Sequence, residues 1–339
     1  MTAFDAILLV SFGGPEGPDD VLPFLENVTR GRGVPRERLE EVAHHYERFG
    51  GVSPINEQNR ELMTALETEL QGHGIELPIY FGNRNWHPYL VEALRDMRSA
   101  GVRRALAIFT SAYSSYSGCR QYREDVYRAQ RELGAGAPEV SKVRVFYNHP
   151  GFVQANADRV RDALTLLPAD EPVHLAFTAH SIPTAMARGC AYERQLRESA
   201  RLVAESVEVE DWGLAFQSRS GPPQVPWLGP DIGEHLEAVA HRGIRNVAVS
   251  PVGFVSDHLE VRYDLDVAAA ADAERLGLRF ARAASVGTHP VFVAALRELV
   301  EERLDGGEKR AVGSFGPYPD ACPPDCCRPG TGRPSPWEE

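Results

Sequence analysis

Short apolar runs with no polar alternation recur along the chain, separated by stretches in which apolar positions return every three or four residues. The runs are "AILLVSF" (6–12), "LPIYFG" (77–82), "RALAIFT" (104–110), "KVRVFY" (142–147), "VHLAFTAH" (173–180), "WGLAFQS" (212–218), "NVAVSPV" (246–252) and "RFARA" (279–283). Between them, helical periodicity covers 60–70, 88–101, 151–167, 192–206 and 233–243. Strands that are apolar throughout, spaced by helix-length segments, predict a parallel sheet covered on both faces.

The two halves echo each other. "HPYLVEALRDMRSAGVRRALAIFTSAYSS" parallels "GEHLEAVAHRGIRNVAVSPVGFVSD", "LPIYFGNRNW" parallels "WGLAFQSRSG", and "ILLVSFGGP" parallels "HLAFTAHSIP". This predicts two similar α/β domains made by duplication, 1–150 and 151–305, facing each other across a cleft. Residues 306–339 form a Gly- and Pro-rich tail with little to pack, expected to be mobile unless something ties it down. Open parallel sheets bind ligands beyond the carboxyl ends of their strands, so the loops there are where chemistry is expected.

Composition narrows the class. At 339 residues and 43% hydrophobic content the chain can bury a large core, and its net charge of -12 argues against nucleic acid as a partner. No signal-peptide pattern and no apolar stretch near the ~20 residues of a membrane span is present, so a cytoplasmic protein without stable membrane association is expected, acting as a monomer. Five cysteines are present, and Cys322, Cys326 and Cys327 fall together in "CPPDCCRPG". That grouping reads equally as metal or cluster ligands and as free thiols in an untidy tail.

Four loops follow strands. "SFGGPEGPDDV" (11–21) has glycines but neither phosphate-loop nor dinucleotide spacing. "TSAYSSYSGCRQY" (110–122) is rich in hydroxyls, "FTAHSIPTA" (177–185) sets His180 at a strand end, and 256–266 supplies Asp257, His258, Glu260, Asp264 and Asp266. His180 and Glu260 are placed to converge on one cleft, where a histidine and a carboxylate can exchange protons or hold a divalent metal loosely. A strand-end histidine is more often structural, Asp257 followed by Glu260 also fits a capping box, and Asp264 and Asp266 read best as solvated or capping acids. The usual hydrolase signatures are absent.

Taken together, "LLVSFGGPEGPDDVLPFLENVTRGRG", "YERFGGVSPIN", "FTAHSIP", "FQSRSGPPQVPWLGPDI" and "SPVGFVSDHLEVRYDLD" resemble the ferrochelatases in order and spacing over roughly 5–305, and are most similar to the actinobacterial group acting on coproporphyrin III. The resemblance implies the chelatase type II fold, two Rossmann-like domains with doubly wound parallel sheets gripping a porphyrin, and insertion of ferrous iron to give Fe-coproporphyrin III in haem biosynthesis. It implies His180 and Glu260 as the metal- and proton-handling pair, with Asp257 and His258 supporting them. Ser53 and Tyr122 match porphyrin-contacting positions, and Arg30 and Arg32 suit the substrate's propionates. Phe12 stands where some bacterial relatives carry an iron-ligating tyrosine. Mitochondrial members hold a [2Fe-2S] cluster on one internal and three terminal cysteines. Here Cys322, Cys326 and Cys327 match the trio, the internal position falls near Ala155, and the fourth ligand would be Cys190 or Cys119. Cys190 is favoured, because Cys119 lies in a loop expected to line the cleft. Rival readings are a protoporphyrin IX ferrochelatase, a cobalt or nickel chelatase for a sirohydrochlorin-type ring, and a non-catalytic porphyrin or haem carrier.

Overall fold

The computed structural model describes residues 4–31, 33–221 and 224–329, which leaves Arg32 of the propionate expectation outside the described residues. Eight strands form two four-stranded parallel sheets of identical order, β2-β1-β3-β4 and β6-β5-β7-β8. The first sheet comprises β1 (Ala6–Ser11), β2 (Ile79–Asn83), β3 (Arg104–Phe109) and β4 (Glu139–Lys142); the second comprises β5 (Val173–His180), β6 (Trp212–Gln217), β7 (Asn246–Ser250) and β8 (Arg279–Arg282). In register, Ile7 of β1 lies opposite Ile79 and Leu106, as Leu175 of β5 lies opposite Trp212 and Ala248. The central strands β1 and β5 are buried along nearly their whole length and mostly apolar, because both of their faces are covered.

Helices cover those faces: α1 (Val21–Val28), α2 (Arg36–Glu47), α3 (Ile55–Gly72), α4 (Leu90–Ser99) and α5 (Gln121–Leu133) in the first half. The second half contributes α6 (Pro150–Leu164), α7 (Thr184–Arg188), α8 (Tyr192–Ser206), α9 (Ile232–His241), α10 (Leu259–Arg262), α11 (Ala270–Arg275) and α12 (Pro290–Leu304). One core cluster joins Ile7, Leu9 and Ile108 of the first sheet to Phe177 and Phe216 of the second and Phe292 of α12. Helix α12 also returns to α3, where Arg297 Nε meets Glu69 Oε1 at 2.9 Å, so the last helix ties the second half to the first.

Two wide turns of π-helix interrupt the pattern at matching places. Tyr116–Arg120 follows β3 and leads into α5; Tyr263–Ala269 follows β7 and α10 and leads into α11. Such turns cost regular hydrogen bonding and occur frequently at functional sites.

One sequence expectation is corrected, and the tail, expected to be mobile unless tied down, is tied down. Residues 142–147 are not a strand: β4 ends at Lys142, and beyond Val143 the chain leaves the sheet, because Arg144 turns inward to Glu302 of α12 at 2.8 Å while Phe146 and Tyr147 enter the core. The described part of the tail is docked. Arg144 Nη2 donates to the Arg310 carbonyl at 2.7 Å, Val312 N donates to the Asn148 carbonyl at 2.9 Å, and Asn148 Nδ2 donates to the Gly316 carbonyl at 2.7 Å. Ser314 N donates to Glu198 Oε1 at 2.7 Å, and Arg120 Nη1 to the Cys326 carbonyl at 2.8 Å. A segment with few apolar residues is held here by giving its backbone groups partners on the body. Among the described residues no helix is long and apolar enough to cross a membrane.

Candidate active site

Strand β5 delivers His180 at its carboxyl end, where its backbone still pairs with Gln217 of β6. The ring is fixed from behind. Its Nδ1 lies 2.6 Å from the Ser181 carbonyl, an atom that only accepts, so Nδ1 carries the proton and Nε2 keeps its lone pair. Ser181 is itself held, its N–H donating to the Gln217 carbonyl at 2.8 Å and its Oγ to the Leu228 carbonyl at 2.7 Å. Tyr192 donates to the His180 carbonyl at 3.0 Å. The free Nε2 faces Glu260 Oε2 at 3.8 Å, both side chains being about one-third to two-fifths exposed, at 35% and 43%. The strand-end histidine and the acidic loop therefore meet.

Glu260 arrives by a loop that climbs over the end of β5. Gly253 N donates to the Thr178 carbonyl at 3.0 Å, and a Cβ at Gly253 would sit 2.5 Å from that of Ala179, so only glycine allows this approach. The first half steadies the loop: Gln58 Oε1 of α3 accepts from Asp257 N at 2.8 Å, and Ser256 Oγ lies 3.3 Å from Asn59 Oδ1. The cap of α10 is His258, whose Nδ1 accepts from Val261 N at 3.4 Å, so the capping-box alternative for Asp257 gives way. Burial pushes His258 down to about 3 and keeps it neutral. Asp257 instead meets Arg282 Nη2 at 2.6 Å.

The wide turn of Tyr263–Ala269 carries the next two acids. Asp264 faces the site, accepting from Ser218 Oγ and, at 3.3 Å, from Gln217 Nε2. Burial, with the Glu260 charge adding, pushes its carboxyl up to about 6 against the pull of those two donors. Asp266 faces away, toward Arg282 Nε at 2.9 Å and Arg262 Nε at 3.7 Å. The solvated-acid expectation thus fails for Asp264. Ser218, at a left-handed φ of 59°, and Gln217 close the same corner; the "FQSRSG" stretch contained them, but nothing in its spacing said that they serve a carboxyl from the other loop. On the first-half side, His45 of α2 stacks on Tyr263, ring centroids 3.8 Å apart and planes within 7°.

The remaining expected residues are distributed as follows. Phe12 follows β1, packed edge-on against Phe24 at 6.3 Å. Ser53 is buried against Gly14, where an added Cβ would come within 2.6 Å of the serine Cβ. Tyr122 is buried beneath the Arg84 guanidinium, 4.4 Å from its ring centroid, with burial raising its hydroxyl pKa. Arg30 is exposed at a polar basin of about 420 Å³ lined also by Asn27, Arg84, Asn85, Gln121, Asp125 and Arg128.

Cys190 Sγ donates to the Met186 and Ala187 carbonyls at 3.4 and 3.5 Å. Cys119 is buried just before α5, and burial raises its thiol pKa; the tail also borders Cys190, since a Cβ on neighbouring Gly189 would lie 3.8 Å from the Arg328 carbonyl. Arg123 Nη1 lies 3.6 Å from the Cys326 sulfur. Among the described residues no three His, Cys, Asp or Glu side chains are gathered to hold a single metal ion.

A family model described as ferrochelatase matches residues 4–304. The chain is 55% identical over 330 residues to the ferrochelatase of Rhodopirellula baltica, covering 96% of this chain and 93% of that one. It is 51% identical to the coproporphyrin III ferrochelatase of Streptomyces coelicolor, covering 98% and 95%. In fold it is similar to SirB of Bacillus subtilis with Fe3+, at a TM-score of 0.55 and 14% identity, covering 89% of this chain and 96% of that one.

Proposed function

The chain belongs to the ferrochelatase family, and on that premise we propose that it inserts ferrous iron into coproporphyrin III. The reaction forms four iron–nitrogen bonds, two of them in place of pyrrole N–H bonds: Fe2+ and the free-base porphyrin give Fe-coproporphyrin III and two protons. The observation that carries this is the lone pair of His180 Nε2 facing the Glu260 carboxylate across 3.8 Å. A neutral imidazole held in that tautomer can accept a pyrrole proton, and the carboxylate beside it stabilises the imidazolium that forms. Asp264, with its carboxyl near neutrality, is suited to pass protons onward to solvent. A porphyrin carrier has no need of this pair.

Coproporphyrin III as substrate rests on the name of the Streptomyces coelicolor relative and on exposed Arg30 at the rim of the polar basin, which suits a macrocycle bearing four propionates; Arg84 and Arg128 in that basin are both paired with Asp125. In this reading Ser53 and Tyr122 act from behind, Ser53 by shaping the Gly14 turn and Tyr122 by supporting Arg84. The enzyme works in the cytoplasm on a carboxylate-rich substrate that needs no lipid for delivery. Initial rates with Fe2+ on coproporphyrin III and protoporphyrin IX test the assignment: faster metallation of coproporphyrin III supports it, and equal or reversed rates refute it.

The four thiols of Cys119, Cys322, Cys326 and Cys327 suit a [2Fe-2S] cluster, a group that carries single electrons and for which metal insertion, being redox-neutral, has no step. What supports them is that Arg120, next to Cys119 in the chain, donates to the Cys326 carbonyl at 2.8 Å, and Arg123 Nη1 lies 3.6 Å from the Cys326 sulfur. Iron and acid-labile sulfide content of the protein as purified, with its visible spectrum, tests this; C119S should lose both signals and C190S keep them.

A further inference from the structure

Two of the four carboxylates in the acidic loop do not face His180, and both end on the same guanidinium. Arg282 is the last residue of β8, its backbone paired with Val249 of β7 just before the chain leaves the sheet for the loop. Its side chain is only 13% exposed. Nη2 meets Asp257 Oδ2 at 2.6 Å, and Nη1 reaches the Ala283 carbonyl at 3.4 Å. Nε lies 2.9 Å from Asp266 Oδ1 but out of line for a hydrogen bond, so that contact is an ion pair. Asp257 stands before Glu260 and Asp266 after Asp264, so the two carboxylates that face the site lie between the two that Arg282 holds.

We propose that Arg282 is a positioning residue for metal insertion: one buried guanidinium pins both ends of the acidic loop to the end of β8 and thereby sets where Glu260 and Asp264 stand relative to His180. The geometry requires an arginine. The two carboxylates meet two different nitrogens of the planar fork, Nη2 and Nε, and a lysine ammonium, a compact point charge on a flexible stem, cannot reproduce that pair of fixed positions. Alternative anchors are weaker: Gln58 holds only the Asp257 amide, and Arg262 lies 3.7 Å from Asp266 while its guanidinium also sits over the Phe49 ring. Without the fork, the Asp257 carboxylate (14% exposed) would lose its ionic partner next to other acids, and the loop would relax away from β8.

The inference rests on the reading that Glu260 takes part in the reaction, so the test carries a control for that reading. Full-length wild type, R282M, R282K and E260Q are compared for kcat and KM with Fe2+ and coproporphyrin III, for porphyrin affinity by fluorescence quenching, and for amide exchange across 257–266. In R282M kcat should fall at least about tenfold, since small displacements of catalytic groups cost that much or more, while porphyrin affinity holds and amide exchange rises. R282K keeps the charge and should fold even where R282M does not; it should still lose most of kcat. A folded arginine variant with wild-type kcat, or one losing porphyrin affinity in step with kcat, overturns the inference. E260Q slow beside a wild-type R282K refutes the positioning role alone, and E260Q at wild-type rate refutes the underlying reading as well.

Discussion

At the scale of single side chains, the chemistry is set by which atom carries the proton. The Ser181 carbonyl fixes the proton of His180 on Nδ1 and leaves Nε2 basic. Burial and the Glu260 charge hold Asp264 near neutrality, where a carboxyl can both take and release a proton. The direction matters for pH dependence. A carboxyl with its pKa raised to about 6 loses its charged form as pH falls through 6, well above the ordinary carboxylate range. If the ionised form is the one that works, kcat should fall below pH 6 with an acid limb that belongs to Asp264. In D264N the amide can still accept from Ser218, so the site should keep its shape while kcat drops and that limb disappears from the pH–rate profile. An unchanged limb would assign it to another group. Only part of this could be read from residue order. A strand-end histidine and an acidic loop were legible as a converging pair; the role of Asp264 was not, because burial and the Ser218 contact come from tertiary packing.

At the scale of elements, strands buried on both faces were the most readable feature, since continuous apolar runs such as those of β1 and β5 have few other uses. The run at 142–147 misled for a physical reason: β-branched and aromatic residues suit a strand and a buried connection equally, and Arg144 decides between them by pairing with Glu302. The wide turn at Tyr263–Ala269 was invisible because helical periodicity does not distinguish it from an ordinary turn; Asp264 and Asp266, two positions apart, point to opposite sides in either. The tail looked unstructured because its anchors are backbone hydrogen bonds to side chains on the body. Those anchors share a footing with Arg144, which is fully buried, bidentate to Glu302 at 2.8 Å for both bonds, and bonded to the Arg310 carbonyl. R144M should leave Glu302 as an unpaired buried charge and cost about 3–5 kcal/mol in denaturant unfolding, and limited proteolysis should then release the segment after Leu304. A loss within experimental error would mean that the pair contributes little.

At the scale of the whole molecule, a duplicated sheet gives two equivalent strand ends, and the halves have diverged in what they place there. The second supplies His180, Glu260 and Asp264; the first supplies the braces Gln58 and Asn59, the stacked His45, and the arginine-lined basin. The identical sheet order confirms the expected architecture, and α12 packed on α3 adds a tie between the halves that the repeats did not disclose. The central claim is that the imidazole and carboxylate meeting at 3.8 Å perform the insertion and do not merely shape a pocket. The measurement that tests it most directly is single-turnover metallation of bound coproporphyrin III by Fe2+ in wild type and H180A, each first shown to bind the porphyrin with comparable affinity. H180A should bind the macrocycle yet leave it unmetallated over many wild-type turnover times; metallation by H180A at the wild-type rate would remove the imidazole from the reaction.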